Sequence, residues 1–318
     1  MMSLQNLKRM NLNSMSIKFI RSEIISSLLS IILCLSNLPV AAEDELFSLP
    51  GSDKKYTEKQ INDVFGAPDW YPGEHPTMPK VVSHGSKPAV FACASCHLTS
   101  GRGHPESSAL GGLPVDYMIR QMKAYQKFQR PGVVGLMNSI AKAMTDDEIR
   151  ESAEYFAALP AYKVQDVIEA DEVPATYVNS RFMRLLAKNG HDQKEAIGER
   201  LITLPVDEYR VKARDPNSFF ITYVPKGTLS IGKRLVNEGK GTTAACTACH
   251  GVDLRGTAIA PLIAGQHASY LMSQLRAYKE GVRRGEADPG QIMANNVKYF
   301  TDSELLATAA YISSLDRE

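Results

Sequence analysis

Apolar side chains return every three to four positions through VDYMIRQMKAYQKF (115–128) and through ASYLMSQLRAYKEG (268–281), which predicts two amphipathic helices. Two later segments, MTDDEIRESAEYFAALP (144–160) and FTDSELLATAAYISSLD (300–316), each place a Thr-Asp N-cap ahead of the same spacing. They predict two terminal helices. Between these pairs, residues 162–186 and 199–225 mix β-branched and aromatic residues with Pro, Asp and Asn breakers, and predict short strands and turns. The most apolar run, Ile24 to Val40, follows Lys8, Arg9, Lys18 and Arg21 and ends in PVAAEDE. It predicts a secretory signal peptide over residues 1–42, cut after Ala42, with Val40 and Ala42 at the small-residue positions. The run is short for a membrane span and has Glu23 at its edge, so an uncleaved anchor is the lesser reading. Leu33 stands where a small residue would precede a lipidated Cys34, which disfavours a lipid anchor.

The chain repeats itself. An offset of 153 residues lays Cys93, Cys96 and His97 on Cys246, Cys249 and His250, and continues through Gly112/Gly265, Tyr117/Tyr270, Gln121/Gln274 and Tyr125/Tyr278. The offset becomes 156 in the terminal helices, with Asp146 on Asp302, Tyr155 on Tyr311 and Leu159 on Leu315. A period this long, seen twice, predicts tandem domains and not a solenoid. The boundaries expected are 55–160 and 228–318, with a connecting segment over 161–227 that packs on the domains.

Charge removes one class of function. Without residues 1–42, which hold four basic side chains and one acidic, 32 basic and 34 acidic side chains remain, a net charge of −2 that does not suit nucleic acid. Cysteine use is sharper: Cys93, Cys96, Cys246 and Cys249 are the only cysteines beyond residue 42, and all lie in CASCH and CTACH. Zinc would need the two pairs, about 150 residues apart, to converge. A redox dithiol would need a βαβ context and would leave the two histidines unexplained. Covalent haem uses every residue, since two thiols three apart reach the vinyl groups of one porphyrin edge and the next histidine turns its ring to the iron.

With these motifs, APLIAGQHASYLMSQLRAYKEG and the two TD.E helices, the chain resembles a dihaem class I cytochrome c over most of residues 80–160 and 228–318. The resemblance implies a mainly α fold, two tandem class I cytochrome c domains joined by a partly β-like segment, and two covalently bound haem c groups. It also implies a methionine as the distal axial ligand of each haem, in a loop before the last helix. Within the repeat, Met118 pairs with Leu271, Met122 with Leu275, Met144 with Phe300, and Met272 with Ile119, as core positions would. Met137 and Met293 pair with each other, so the expected axial sets are His97/Met137 and His250/Met293. Thioether ligation should raise both reduction potentials relative to bis-histidine sites.

One departure stands out. Pro261 suits the family's proline, whose backbone oxygen orients the proximal histidine, but Ser108 occupies that place in the first half and puts the support of His97 in doubt. The first half also lacks an equivalent of SIGKRLVNEG, for which YTEKQINDVFG is the upstream candidate. His75, His84, His104, His191 and His267 have no aligned histidine and read as surface or structural, with His84 and His104 as reserve ligands if Met137 fails. Tyr117 and Tyr270 suit either packing or a haem propionate. The expected function is a periplasmic electron carrier, without catalysis of its own, between a dehydrogenase or quinol-oxidising complex and an oxidase or another cytochrome. Membrane association would be peripheral, through a partner complex. A dihaem peroxidase, a cytochrome subunit of an oxidoreductase, and a haem sensor are the alternatives; a peroxidase needs an open iron position, and a sensor a signalling domain.

Overall fold

The computed structural model describes residues 46–179, 183–190, 192–284 and 290–317. The signal-peptide reading of residues 1–42 lies outside them, as does His191. Among the described residues no helix is long and apolar enough to cross a membrane.

The first half opens with β1 (Leu46–Ser48) paired antiparallel to β2 (Lys55–Thr57), then α1 (Glu58–Ile61) and α2 (Lys80–Ser83). The motif forms α3 (Ala94–His97), followed by α4 (Val115–Gln126), α5 (Leu136–Ala143) and α6 (Asp146–Ala157). The connecting segment holds β3 (Gln165–Glu169), β4 (Glu172–Pro174), β5 (Thr176–Val178), β6 (Arg184–Leu186), β7 (Lys194–Ala196), β8 (Ile202–Pro205), α7 (Glu208–Lys212) and β9 (Phe220–Val224). The second half runs α8 (Thr228–Glu238), α9 (Thr247–His250), α10 (Ala268–Lys279), α11 (Gly290–Val297) and α12 (Asp302–Ser314).

The Thr-Asp starts do what their chemistry allows. Thr145 and Thr301 each accept from the N–H three residues on, while Glu148 and Glu304 reach back to the cap N–H, which makes a capping box at the head of α6 and of α12. Each box satisfies two otherwise orphaned donors and fixes where a terminal helix begins.

In the connecting segment, β9 pairs parallel with β3 and antiparallel with β8. Phe220, Thr222 and Val224 on β9 are buried while Ile221 and Tyr223 are half-buried, the period of two that a strand imposes. This sheet lies on the second half: Val224 and Val167 pack with Leu306 and Ala310 of α12. The same segment also reaches the first motif, where Arg214 donates to the carbonyls of Ile61 (2.8 Å) and Ser95, and Ser100 Oγ donates to Pro216 O (2.7 Å).

The expectation for YTEKQINDVFG needs correction. Its helix is only α1, whose Ile61 is buried with Leu49, Trp70 and Ala213, in a cluster separate from the core that holds the motifs. The place of α8 is taken by α2: Cys93 N–H donates to Val81 O at 3.2 Å as Cys246 N–H donates to Val236 O at 2.9 Å. Here α2 is cut to one turn because Pro79 caps it and Gly85 turns the chain at φ +64°, where an added Cβ would lie 2.1 Å from Val90 O. In the second half α8 runs three turns and lies against α12 so closely that a Cβ on Gly232 would be 2.1 Å from Ala307 O. One hydrophobic core takes in both halves, with Ile149 and Phe156 of α6 and Leu305 and Ile312 of α12 among its members.

Candidate haem sites

Both motifs fold as a single helical turn. The N–H of His97 donates to Cys93 O at 2.9 Å and that of His250 to Cys246 O at 3.0 Å, so the residues of each Cys pair, three apart, share one side of the turn. Both turns stop at a positive φ, on Leu98 (62°) and on the aligned Gly251 (87°). Leu98 holds this costly conformation with its side chain fully buried.

Each histidine is aimed by a backbone carbonyl eleven residues on. His97 Nδ1 lies 2.9 Å from Ser108 O, and His250 Nδ1 lies 2.8 Å from Pro261 O. A carbonyl only accepts, so Nδ1 carries the proton and Nε2 presents its lone pair. Burial lowers both pKa values, against the backbone hydrogen bond that raises them, and keeps the rings neutral as a metal ligand must be. The doubt that Ser108 cast on His97 is thereby corrected. The task belongs to a main-chain oxygen, and serine supplies one as well as proline does.

A second support was hidden by chemistry. His104 Nδ1 donates to Cys96 O at 3.0 Å, and Thr257 Oγ1, its aligned residue, donates to Cys249 O at 2.7 Å. His104 therefore has a functional counterpart, though not a histidine, and its Nδ1 is committed to the motif turn. His75 contacts Asp69 Oδ1 and Pro76 O, His84 is exposed beside Ser83, and His267 is fully buried with Nε2 on Arg102 O at 2.9 Å.

The thiols do not suit the competing readings. Burial pushes Cys93 up to about 12 and Cys246 up to about 11, opposite to the depressed values of redox-active cysteines. Among the described residues no three of His, Cys, Asp and Glu converge on a common metal position, so the two pairs do not join into one zinc site.

A cavity of about 480 Å³ reaches both motifs. Its first-half wall includes Leu113, Ile140 and Phe156, and its second-half wall Leu262, Leu275 and Phe300. Apolar faces with two cysteines and a neutral imidazole at the edge of each half fit a porphyrin bound through thioethers. In the first half Met118, Met122, Met137 and Met144 all line the cavity; in the second half Met293 does and Met272 does not. Neither Met137 nor Met293 is in a loop, which corrects the expected setting. Met137 lies in the first turn of α5 and Met293 within α11, where Leu, Met and Ala favour helix and the apolar spacing turns them toward the cavity.

Sequence reasoning passed over two groups of residues. Arg130 and Arg283 share the offset of 153 and are both buried on the cavity wall, beside Gln121 and Tyr270. Gln266 and Arg317, from the second half, grip the loop behind His97: Gln266 takes the N–H of Ala109 (2.8 Å) and donates to its carbonyl (3.0 Å), while Arg317 donates to Ala109 O (3.2 Å) and Gly111 O (3.1 Å). Burial pulls Arg317 down to about 10, so it stays charged at neutral pH.

The cytochrome c family matches residues 231–316. Cytochrome c4 of Stutzerimonas stutzeri is 30% identical over 238 residues, which cover 71% of this chain and 85% of that protein. Cytochrome c-554(548) of Halomonas halodenitrificans is 38% identical over 77 residues, or 24% of this chain and 90% of the relative. A protein of Stutzerimonas stutzeri strain A1501 named thiosulfate dehydrogenase electron acceptor is 23% identical over 237 residues, or 74% of this chain and 83% of that one.

Proposed function

The chain belongs to the dihaem class I cytochromes c, with covalently bound haem c and a role in electron transfer, and from that premise we propose that it is a periplasmic carrier whose irons are held by His97/Met137 and His250/Met293. Each haem, when bound, supplies one-electron ferric/ferrous chemistry. The observation that carries the reading is the matched pair of neutral imidazoles, each held through Nδ1 by a carbonyl eleven residues on and each facing one apolar cavity. Cys93 and Cys96, and Cys246 and Cys249, are the proposed thioether anchors. Met293 is supported as a ligand because it is the second-half methionine on the cavity wall, and the repeat carries that choice to Met137.

The residues' work is to hold, orient and exclude. Ser108 O and Pro261 O fix the imidazoles so that neither ring must turn when the charge at iron changes, and the apolar walls keep water away, which limits reorganisation on electron transfer. With His97 and Met137, and His250 and Met293, holding the irons, no position would be left for a substrate, which supports a carrier without catalysis of its own. We assign residues 1–42 to an export signal, 55–160 and 228–318 to the two haem domains, and 161–227 to a brace between them. The named electron-acceptor relative makes a periplasmic dehydrogenase the proposed donor, and an oxidase or another cytochrome the proposed acceptor.

Haem retention tests the anchors. Denatured parent chain should keep two haems and the double variant Cys246→Ser/Cys249→Ser one; a parent chain that releases both on denaturation would overturn the assignment.

A further inference from the structure

The two motif faces are not equally open, and the difference falls on aligned residues. Ser95, inside the first motif, is 1% exposed and Thr99, just after it, 3%; their counterparts Ala248 and Val252 are exposed, Val252 to 91%. Ala258 and Ile259 are exposed as well, where Pro105 is buried and Glu106 half-buried. The connecting segment makes the difference. Arg214 donates to the carbonyls of Ser95 and Ile61, and Ser100 Oγ donates to Pro216 O, whereas Asp253, aligned with Ser100, stands in solvent.

That cover is firmly anchored. Trp70 Nε1 donates to Ala213 O at 2.8 Å, and the fully buried Asp215 pairs with Arg210 and accepts the Asn217 N–H at 2.8 Å. Between these anchors Arg214 holds a left-handed φ of 52°, a conformation that a residue with a Cβ adopts at a cost.

On the second half the corresponding face is apolar. Ile259 and Ile292, both exposed, line the cavity beside Cys246 and Cys249, and Ala244 N–H on Asn296 Oδ1 ties the approach to the motif onto α11. Charges nearby answer one another, Asp253 with Arg255 at 3.9 Å and Lys240 with Glu304 at 2.7 Å. An exposed apolar patch bordered by paired charges suits a partner whose own face is apolar and weakly charged. The first half keeps Val134 and Leu136 exposed on its side of the cavity. With its motif side buried, and Glu106 in the place of Ile259, its apolar face is incomplete.

We propose that the connecting segment closes the first motif face to partners and leaves the second-half face, built on Ala248, Val252, Ile259 and Ile292, as the port for a redox protein with an apolar, weakly charged surface. The proposal rests on the reading that both motifs carry haem. When the reduced chain meets an oxidised partner, one electron crosses this face: the partner gains it, the second centre goes from ferrous to ferric, and no bond forms or breaks. The first centre reaches partners only through the second.

The test is stopped-flow oxidation of the reduced holoprotein by a blue-copper protein whose copper edge lies in an apolar patch, with ferricyanide as a small oxidant for comparison. Val252→Lys places a charge in the apolar contact and should slow oxidation by the copper protein on the order of tenfold, without slowing ferricyanide. Val134→Lys, the same change on the first half, should slow neither. Unchanged rates in Val252→Lys, or equal slowing by Val134→Lys, with both haems retained and the spectrum intact, would overturn the port while leaving the haem assignment standing. Loss of haem from the denatured parent would instead strike the assignment. If Val252→Lys does not fold, the parent decides. Adding the reduced copper protein to the isotopically labelled ferrous chain should shift the amide resonances of residues 247–260 and leave those of 94–107 in place. The reverse pattern, or no shift in either, would overturn the proposal. Self-association of the parent that Val252→Lys abolishes would make a second copy the occupant and refute the choice of partner.

Discussion

Replacing Gln266 with alanine removes the bracket that holds the loop behind His97. The side chain is 4% exposed; its Oε1 accepts the N–H groups of Ala109 (2.8 Å) and His267 (3.1 Å), and its Nε2 donates to Ala109 O. After truncation Ala109 O keeps Arg317, but two buried N–H groups lose their acceptor. An orphaned buried donor costs about 1–3 kcal/mol, and water entering the space left by the amide returns part of that. The net loss expected is about 2–4 kcal/mol, or roughly 5 °C in Tm. Denaturant unfolding of the ferric holoprotein measures it as a lower midpoint at unchanged m-value. Location gives a second readout. Ala109 follows Ser108, whose carbonyl aims His97, whereas the contact of His250 with Pro261 O is left in place. The first centre's potential should move and the second's should not. A loss under about 0.5 kcal/mol, or equal movement of both centres, would refute the reasoning.

Other perturbations separate the parts of the account. Gly232→Ala should destabilise by more than about 2 kcal/mol by thermal unfolding, since its Cβ would meet Ala307 O at 2.1 Å and Tyr311 Cβ at 2.7 Å and force α8 off α12. Ser108→Ala should leave the first centre's potential and spectrum unchanged, because the backbone oxygen holds His97; a shift would return the role to the side chain. Glu106 lines the cavity in the first half where Ile259 stands in the second, and burial pushes its carboxyl up to about 7. Its folded value lies above the unfolded one, so ionisation as pH rises through 7 adds negative charge and lowers the first centre's potential. That pH dependence should vanish in Glu106→Gln, and persistence would assign it to another group.

How far the sequence could be read depended on whether a job belongs to a side chain of fixed chemistry. The motif cysteines and histidines, and the threonines that cap α6 and α12, must be those residue types, and the repeat displays them. The support of His97 is a carbonyl, which any residue carries, so comparing Ser108 with Pro261 misled. His104 and Thr257 do one job with different donors, and identity matching hides that. Val81 stands for Val236 at an offset of 155, which the fixed offset of 153 skips. Gln266 and Arg317 stand opposite Leu113 and Ala161 in the repeat, so matching one half to the other does not display them. Arg130 and Arg283 were visible at the common offset, but only the fold puts them in contact on a cavity wall.

The central claim is a pair of histidine/methionine haems in one chain. Near-infrared magnetic circular dichroism of the oxidised protein, recorded for the parent, Met137→Ala and Met293→Ala, tests it most directly. The account predicts two low-spin centres with sulfur-to-iron charge transfer in the parent, and one such centre remaining in each variant. A high-spin ferric centre in the parent, or a variant that keeps both signals, would contradict it.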